Sequence, residues 1–167
     1  MPKKSIRVGV YPGTFDPITK GHMDIIKRAL KIVDKLIIGI ADDIPKTPIF
    51  NLQDRTDMVN KDIKSEDLKG EIEVTAFKGL LVDFAKNNDA SIIIRGLRAV
   101  SDYEYELQLA SMNSKMSPEI ETVFLPASDS KHYIASSLVK EVSRLKGDVS
   151  PFVSENVAEK LKKYYAA

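Results

Sequence analysis

Histidine, arginine, lysine and serine side chains stand in four short segments of this 167-residue chain, in patterns that suit phosphate binding. The first segment is Thr19-Lys20-Gly21-His22, which lies at the start of a predicted helix. Amide groups at a helix N-terminus carry partial positive charge and bind anions. His22 is therefore placed to donate to a phosphate group, although an ordinary helix start with Thr19 as the N-cap explains the same residues.

Two arginines at the end of a predicted strand form the second candidate, Arg95-Gly96-Leu97-Arg98. Guanidinium groups bind phosphate oxygens through paired hydrogen bonds, and an arginine at the end of a buried, isoleucine-rich strand needs a partner. The other interpretation is a surface ion pair with Asp102 or Glu104. We favour phosphate binding, and Glu106 in the following helix is a further candidate for a contact to ribose or a metal.

A lysine and a pair of serines complete the polar candidates. Lys46 lies in the proline-bracketed loop 42–48, where it suits either a contact to a phosphate group or plain exposure to solvent. Ser136 and Ser137 open a predicted helix, so that their hydroxyls and the helix amides suit an anion cradle. Helix capping accounts for one serine, and the second serine favours a binding role.

Short apolar segments precede these candidates, which predicts how the fold positions them. The candidate strands are Ile6–Tyr11, Leu36–Ala41, Glu71–Thr75, Ser91–Arg95 and Glu121–Leu125. Helical spacing of apolar residues predicts helices over Met23–Val33, from Leu81, over Asp102–Met116, from about Leu138 to Lys146-Gly147, and over Ser154–Tyr164. This alternation predicts a doubly wound, Rossmann-like α/β fold, with a parallel five-stranded sheet and helices on both faces. In such folds ligands bind beyond the carboxyl ends of the strands, where these candidates lie.

Composition predicts one domain over residues 1–167 and excludes several kinds of site. The net charge of +1 gives no reason to expect nucleic-acid or membrane partners. The absence of cysteine excludes disulfides, thiolate metal sites and cysteine nucleophiles. No apolar segment has membrane-spanning length, and Pro12 ends the first one too early for a signal peptide, so we expect a cytoplasmic protein. The P-loop and G-x-G-x-x-G motifs are also absent.

Three segments together resemble the phosphopantetheine adenylyltransferase family, within the nucleotidyltransferase superfamily that carries an H-x-G-H-type motif. They are residues 11–22, 94–106 and 136–142, the last followed by Gly147-Asp148-Val149. The resemblance covers nearly the whole chain. It implies adenylyl transfer from ATP to 4′-phosphopantetheine, which gives dephospho-coenzyme A and pyrophosphate in coenzyme A biosynthesis. It also implies Mg²⁺ carried with ATP, no metal ligands from the protein, and a homohexamer.

The resemblance also implies the site residues, with His22 as the stabiliser of the transition state. Contacts to phosphopantetheine would come from Thr14, Lys46, Leu81 and Arg95. Contacts to ATP would come from Thr14, Phe15, His22, Gly96, Leu97, Arg98, Glu106, Lys131, His132, Tyr133, Ile134, Ala135, Ser136 and Ser137. Two positions depart from the family pattern: Ala135 stands where a serine is frequent, and Lys131 where an aromatic residue is common. At Ala135 a backbone group or a water molecule would then make the hydrogen bond that the serine hydroxyl makes near the ATP phosphates.

The implied reaction needs no protein nucleophile, because the phosphate of the substrate attacks the α-phosphorus of ATP directly. Two other functions stay open at this point. One is another small-molecule nucleotidyltransferase, such as a cytidylyltransferase or a nicotinamide mononucleotide adenylyltransferase; Arg95-Gly96-Leu97-Arg98 favours the pantetheine branch over these. The other is a non-catalytic nucleotide sensor, against which the completeness of both phosphate clusters argues.

The predicted helix Asp102–Met116 carries two apolar stripes instead of one. Tyr103, Leu107 and Ala110 form the first stripe, and Tyr105, Leu109, Met112 and Met116 form the second. A helix that packs on a single core needs only one such stripe. We therefore expect the first stripe to face the core and the second to face another subunit.

Overall fold

The computed structural model describes residues 6–166, and five parallel strands form the sheet at its centre. The strands are Val8–Gly13 (β1), Lys35–Ala41 (β2), Glu71–Phe77 (β3), Ile92–Leu97 (β4) and Glu121–Pro126 (β5). They lie in the order β3-β2-β1-β4-β5, and every pairing is parallel. Each predicted strand begins and ends within two residues of the observed one. The predicted five-stranded parallel sheet is therefore confirmed.

Helices cover both faces of this sheet. They are Lys20–Ala29 (α1), Leu52–Ser65 (α2), Leu81–Asn87 (α3), Val100–Met116 (α4), Ser136–Arg144 (α5) and Glu155–Ala166 (α6). Val10 and Ile93 point to one face and are buried with residues of α3. Their neighbours Tyr11 and Ile94 point to the other face and are buried with residues of α1, α2, α5 and α6. Because successive strand residues alternate between faces, two cores result, and the predicted doubly wound arrangement is confirmed.

Helix α1 begins three residues before the predicted start at Met23 and ends at Ala29 instead of Val33. The cause of the early start is Thr19, whose side chain caps the helix by accepting a hydrogen bond from the His22 backbone. His22 consequently lies in the first turn of the helix and not in the loop before it.

Helix α2 has no counterpart among the predicted helices. Its buried residues are Arg55, Met58, Val59 and Asp62, which share one helical face. Two of these four residues are charged, so a search for apolar residues at helical spacing does not find this face. None of the helices between residues 6 and 166 is long and apolar enough to cross a membrane.

Helix α4 departs furthest from its predicted packing. Its one buried residue is Glu106, while Tyr103 and Leu107 are 46% and 44% exposed. The prediction that this stripe packs into the core is therefore wrong for the single chain. The ring of Tyr103 packs against Phe124 of β5, but the helix contacts only part of the sheet and leaves most of its own surface uncovered.

Candidate active site

A cleft of about 940 Å³ opens beyond the carboxyl ends of the strands. Residues that follow β1 and β4 line it, and these two strands are neighbours at the centre of the sheet. From β1 the chain proceeds towards β3 on one side, and from β4 towards β5 on the other. Such a switch point is where doubly wound sheets bind ligands, and the cleft has the size of a small-molecule site.

The cleft brings together most of the residues that the sequence predicts for the site. Its lining includes Thr14, Phe15, His22, Lys46, Leu81, Arg95, Gly96, Leu97, Arg98, Glu106, Lys131, Ile134, Ala135, Ser136 and Ser137. His132 and Tyr133 are not part of the lining. His132 is exposed, with Nδ1 2.7 Å from the carbonyl oxygen of Asp129, and the ring of Tyr133 packs against Phe152.

Reciprocal hydrogen bonds at the start of α1 hold the ring of His22. The backbone N–H of Thr19 donates to Nδ1 of His22 at 3.0 Å, and the backbone N–H of His22 donates to Oγ1 of Thr19 at 3.3 Å. Helix capping and a functional histidine are thus compatible here. Since Nδ1 accepts a hydrogen bond from the backbone and is therefore unprotonated, the neutral ring carries its hydrogen on Nε2, which remains available as a donor.

Burial keeps the His22 imidazole neutral. The rings of Phe15 and Tyr11 lie 5.0 and 6.5 Å from it, centroid to centroid. Burial, with a smaller contribution from the positive charge of Arg98, lowers the pKa of His22 from 6.5 to about 4. At neutral pH the residue is therefore a hydrogen-bond donor without a positive charge.

Arg95 near the end of β4 and Arg98 directly after it pair with different acidic residues. Arg95 donates from Nε and Nη2 to the two carboxylate oxygens of Glu106, at 2.7 and 2.5 Å. Arg98 pairs with Asp102 through Nε at 3.4 Å, which is one of the ion pairs that the sequence suggests as an alternative. Glu106 is the partner that the sequence does not identify for Arg95, since it lies eleven residues further on and one turn beyond Asp102.

The serines at the start of α5 do not act as helix caps. Ala135 is the N-cap and has no side-chain hydrogen bond to offer. Ser136 instead donates from Oγ to the carbonyl oxygen of Pro17 at 2.8 Å, which ties α5 to the loop before α1. Ser137 is exposed on the cleft lining. The first amides of α5 thus remain without a side-chain partner, the state in which a helix N-terminus binds anions.

Two lysines on loops add positive charge to the cleft. Lys46 is exposed, Lys131 is half-buried, and both line the cleft. Neither forms a salt bridge with any residue between 6 and 166. Both side chains are therefore free to move towards an anionic ligand.

The charged residues of the cleft that sequence reasoning missed include Asp16 and Lys140. Their side chains form an ion pair with Nζ 2.8 Å from Oδ2. Helical periodicity offers a signal for the lysine, because Lys140 lies one turn after Ser136 on the same helix. Asp16 stands within the first motif, but its type alone does not distinguish a turn residue from a buried partner of backbone amides.

The buried side chain of Arg55 fixes the backbone of three segments at the cleft. It is 1% exposed and donates to the carbonyl oxygens of Thr14, Ala41 and Phe50 at 2.8, 2.9 and 3.1 Å. These carbonyls belong to the residue after β1, to the last residue of β2 and to the end of the loop that carries Lys46. A buried guanidinium with three backbone acceptors holds these segments in a fixed arrangement.

The arrangement suits the binding of polyphosphates and the transfer of a phosphoryl-type group. Imidazole, guanidinium and ammonium groups from separate loops face one cleft, together with the amides of a helix N-terminus. These residues can bind and polarise phosphate groups without forming a covalent bond to the ligand. Chemistry of this kind depends on position and electrostatic stabilisation.

Known proteins match this chain along most of its length. Residues 10–142 match the family described as cytidylyltransferase-like. A phosphopantetheine adenylyltransferase of Wolbachia pipientis subsp. Culex pipiens (strain wPip) is 55% identical over 157 residues, which cover 94% of this chain and 92% of that protein. The protein of the same name from Alkaliphilus metalliredigens (strain QYMF) is 51% identical over 158 residues, covering 95% and 99%.

Solved structures share the fold at much lower sequence identity. The nicotinic acid mononucleotide adenylyltransferase of Plasmodium falciparum, complexed with NaAD, matches with a TM-score of 0.73 at 15% identity over 96% of both chains. The curated relatives, which are identical at more than half of the aligned positions, identify the family within this fold. The chain therefore belongs to the phosphopantetheine adenylyltransferase family of nucleotidyltransferase enzymes.

Proposed function

We propose that this enzyme transfers the adenylyl group of ATP to 4′-phosphopantetheine and releases pyrophosphate and dephospho-coenzyme A, a step of coenzyme A biosynthesis. The names of the relatives support the substrate. The observation that carries the proposal is the single cleft shared by His22, Lys46, Arg95, Arg98 and the N-terminus of α5. As the sequence leads us to expect, we propose a cytoplasmic enzyme with no nucleic-acid or membrane partner.

The proposed reaction is a direct in-line displacement. A phosphate oxygen of phosphopantetheine forms a bond to the α-phosphorus of ATP, and the bond from the α-phosphorus to the oxygen of the leaving pyrophosphate breaks. Alignment of two bound reactants contributes about 7–11 kcal/mol to lowering such a barrier. The cleft supports this role because its volume of about 940 Å³ suits small-molecule reactants and its hydrogen-bond donors line the same space.

His22 stabilises the charge that grows on the α-phosphate. Its Nε2–H donates to a non-bridging oxygen of that phosphate, while Thr19 holds the opposite ring nitrogen in place. A preorganised donor of this kind needs no reorientation when the transition state forms. The lowered pKa keeps His22 in the neutral form throughout the neutral pH range, so the role does not depend on its protonation.

The other positively charged groups of the cleft bind different substrates. Lys46 and Arg95 bind the phosphate of phosphopantetheine and reduce its repulsion from ATP, while Leu81 lines the apolar side of the pantetheine arm. Arg98 and the amides of α5 bind the phosphates of ATP. Arg95 must share its guanidinium between the incoming phosphate and Glu106, since Nε and Nη2 are both occupied by that carboxylate.

Magnesium enters this proposal with ATP and not as a resident ion. Most carboxylates of the cleft have partners: Asp16 pairs with Lys140, Glu106 with Arg95, and Asp102 with Arg98. Residues 6–166 contain no cluster of three acidic or histidine side chains that could enclose a cation. These residues fit an ion that keeps its waters and binds phosphate oxygens. The ion would supply charge neutralisation on the polyphosphate, and Lys46 and His22 act beside it.

The exposed apolar surface of α4 supports the proposed homohexamer. Tyr105, Met112 and Met116 are 63%, 63% and 47% exposed. An apolar stripe of this kind on a soluble chain is typical of a protein–protein interface. We expect light scattering at micromolar concentration to give a mass of six chains, and a monomer would contradict this part of the proposal.

Pyrophosphate release tests the proposed function directly. We expect release with ATP and phosphopantetheine, and at most a trace with CTP and phosphopantetheine or with ATP and nicotinamide mononucleotide. Release only with nicotinamide mononucleotide or CTP would favour another nucleotidyltransferase. Binding of ATP without release for any acceptor would favour a nucleotide sensor, and a thermal-shift series with the same ligands detects such binding.

A further inference from the structure

Asp16 is a buried charged residue to which the proposed mechanism gives no role. It lies in the loop between β1 and α1, two residues after Thr14, and is 4% exposed. Its Oδ1 accepts from the backbone N–H of Phe50 at 3.0 Å. Its Oδ2 accepts from the backbone N–H of Ile49 at 3.0 Å and from Nζ of Lys140 at 2.8 Å. Burial of a carboxylate is unfavourable unless hydrogen-bond donors of this kind replace the lost water.

These three partners come from two segments that are distant in sequence. Ile49 and Phe50 end the loop that carries Lys46, and Lys140 lies on α5. Asp16 itself belongs to the loop that leads from Thr14 to His22. One carboxylate therefore joins three elements that line the cleft, and Lys46 stands only three residues before the first of its amide partners.

Arg55 also hydrogen-bonds to the backbone of Phe50, through the carbonyl oxygen instead of the N–H. The backbone N–H of Phe50 donates to Asp16, while its carbonyl oxygen accepts from Nε of Arg55. Arg55 also donates to the carbonyl oxygen of Thr14. The exposed Lys46 loop is thus anchored at Phe50, at a fixed position relative to Thr14.

We propose that Asp16 is a positioning residue that sets where the Lys46 loop stands relative to Thr14 and His22. This inference rests on the proposed function, because it assigns the effect to the binding of phosphopantetheine. Three donors converge on the carboxylate, and an asparagine in its place presents an amide nitrogen to at least one of them. The Lys46 loop then loses a hydrogen bond at its anchor, while Lys46 itself is intact.

The principal test compares Asp16→Asn with a matched variant, Asp62→Asn. Asp62 is equally buried at 5% exposure, accepts from Oγ of Ser154 at 2.6 Å, and does not line the cleft. We expect Asp16→Asn to raise KM for phosphopantetheine about tenfold, the lower end of the range for one lost charge-assisted hydrogen bond, with a smaller rise in KM for ATP. We expect Asp62→Asn to lower the free energy of unfolding without this difference between substrates.

A double variant tests whether the effect passes through Lys46. If Asp16 acts by positioning that lysine, Asp16→Asn adds little to the KM for phosphopantetheine in a chain that already carries Lys46→Ala. Multiplication of the two effects would overturn the positioning role. Should Asp16→Asn not fold, Lys140→Met takes its place. The role is supported if Lys140→Met raises the KM for phosphopantetheine, if Lys140→Arg does not raise it, and if Lys140→Met has no further effect in a chain that carries Lys46→Ala. An unchanged KM in Lys140→Met overturns the role.

The wild-type chain assayed in parallel separates two kinds of failure. A wild-type chain that releases no pyrophosphate with phosphopantetheine would overturn the proposed function, and the positioning role with it. An active wild-type chain whose Asp16→Asn variant matches Asp62→Asn for both substrates would overturn the positioning role alone. The same conclusion follows if Asp16→Asn raises KM for ATP and for phosphopantetheine equally.

Discussion

The two sides of the cleft hold their donors in different ways. On the inner wall, which consists of His22 and Arg95, each side chain is already hydrogen-bonded, to Thr19 and to Glu106 respectively. On the outer loops, which carry Lys46 and Lys131, neither side chain has an ion-pair partner among residues 6–166. The inner wall is therefore organised before a ligand binds, whereas the lysine side chains of the outer loops gain an ionic partner only from the ligand.

This difference indicates how each side contributes to catalysis. A donor that is held in place stabilises the transition state without reorganisation, so its loss lowers kcat. A mobile lysine loses side-chain conformational entropy when it binds a phosphate, and its contribution is mainly to substrate affinity. We therefore expect variants of the inner wall to change kcat and variants of the outer loops to change KM.

Replacement of the inner histidine is expected to have the largest effect. We predict that His22→Ala lowers kcat about 10²–10³-fold, as does the loss of one donor to a developing oxyanion in other enzymes. KM for both substrates changes much less, because the donor acts chiefly in the transition state. Steady-state pyrophosphate release measures both constants, and a near-wild-type kcat would remove His22 from this role.

Replacement of the outer lysine tests the other half of the comparison. We predict that Lys46→Ala raises KM for phosphopantetheine about 10- to 100-fold, the range for one hydrogen bond between charged groups, and leaves KM for ATP nearly unchanged. Lys86→Ala is the control, because Lys86 pairs with Glu119 and does not line the cleft. Equal effects on the two substrates would contradict the assignment of Lys46.

The paired arginine shows whether preorganisation or charge alone matters on the inner wall. Lysine keeps the positive charge but lacks the planar fork that binds both oxygens of Glu106. We predict that Arg95→Lys lowers kcat about tenfold, which corresponds to one lost hydrogen bond. If kcat is unchanged and only KM rises, the inner wall acts as the outer loops do, and the comparison fails.

The pH dependence of stability tests the buried environment of His22 without an activity assay. Burial lowers its pKa to about 4, so between pH 4 and 6.5 the native state binds fewer protons at this site than the unfolded state. The contribution of neutral His22 to stability is thus fully present above pH 6.5 and is lost as the pH falls towards 4. We predict that the stability of the wild type relative to His22→Ala decreases over this interval. The Hε1 signal of His22 in NMR spectra should titrate near pH 4, and a midpoint near 6.5 would mean that the ring is solvated.

The parts of the fold that could be predicted are those that depend on apolar side chains. The strands β2 and β4 are rich in isoleucine, and the alternation of strand and helix patterns along the chain was sufficient to predict a parallel five-stranded sheet. Helix α2 was missed because its buried face includes Arg55 and Asp62, whose burial depends on partners elsewhere in the chain. The prediction that α4 packs into the core was wrong because an apolar stripe does not show whether the surface that it contacts belongs to the same chain.

The same distinction holds for the cleft. Residues directly after strands were identified from position and chemical type, and the fold brings them together. The pairing of Arg95 with Glu106 could not be identified, because it depends on the angle at which α4 leaves β4. Asp16 was passed over because aspartate beside proline is also typical of an ordinary turn.

His132 provides the smallest and most local test of the comparison. The family resemblance includes it among the contacts to ATP, yet its exposed ring lies outside the cleft lining, with Nδ1 beside the carbonyl oxygen of Asp129. We predict that His132→Ala changes KM for ATP by about twofold or less, as an exposed substitution does. Ser136→Ala should have the larger effect, since it releases α5 from Pro17. A tenfold rise for His132→Ala would instead mean that its turn closes over bound ATP, which would add a third mobile segment to the outer loops.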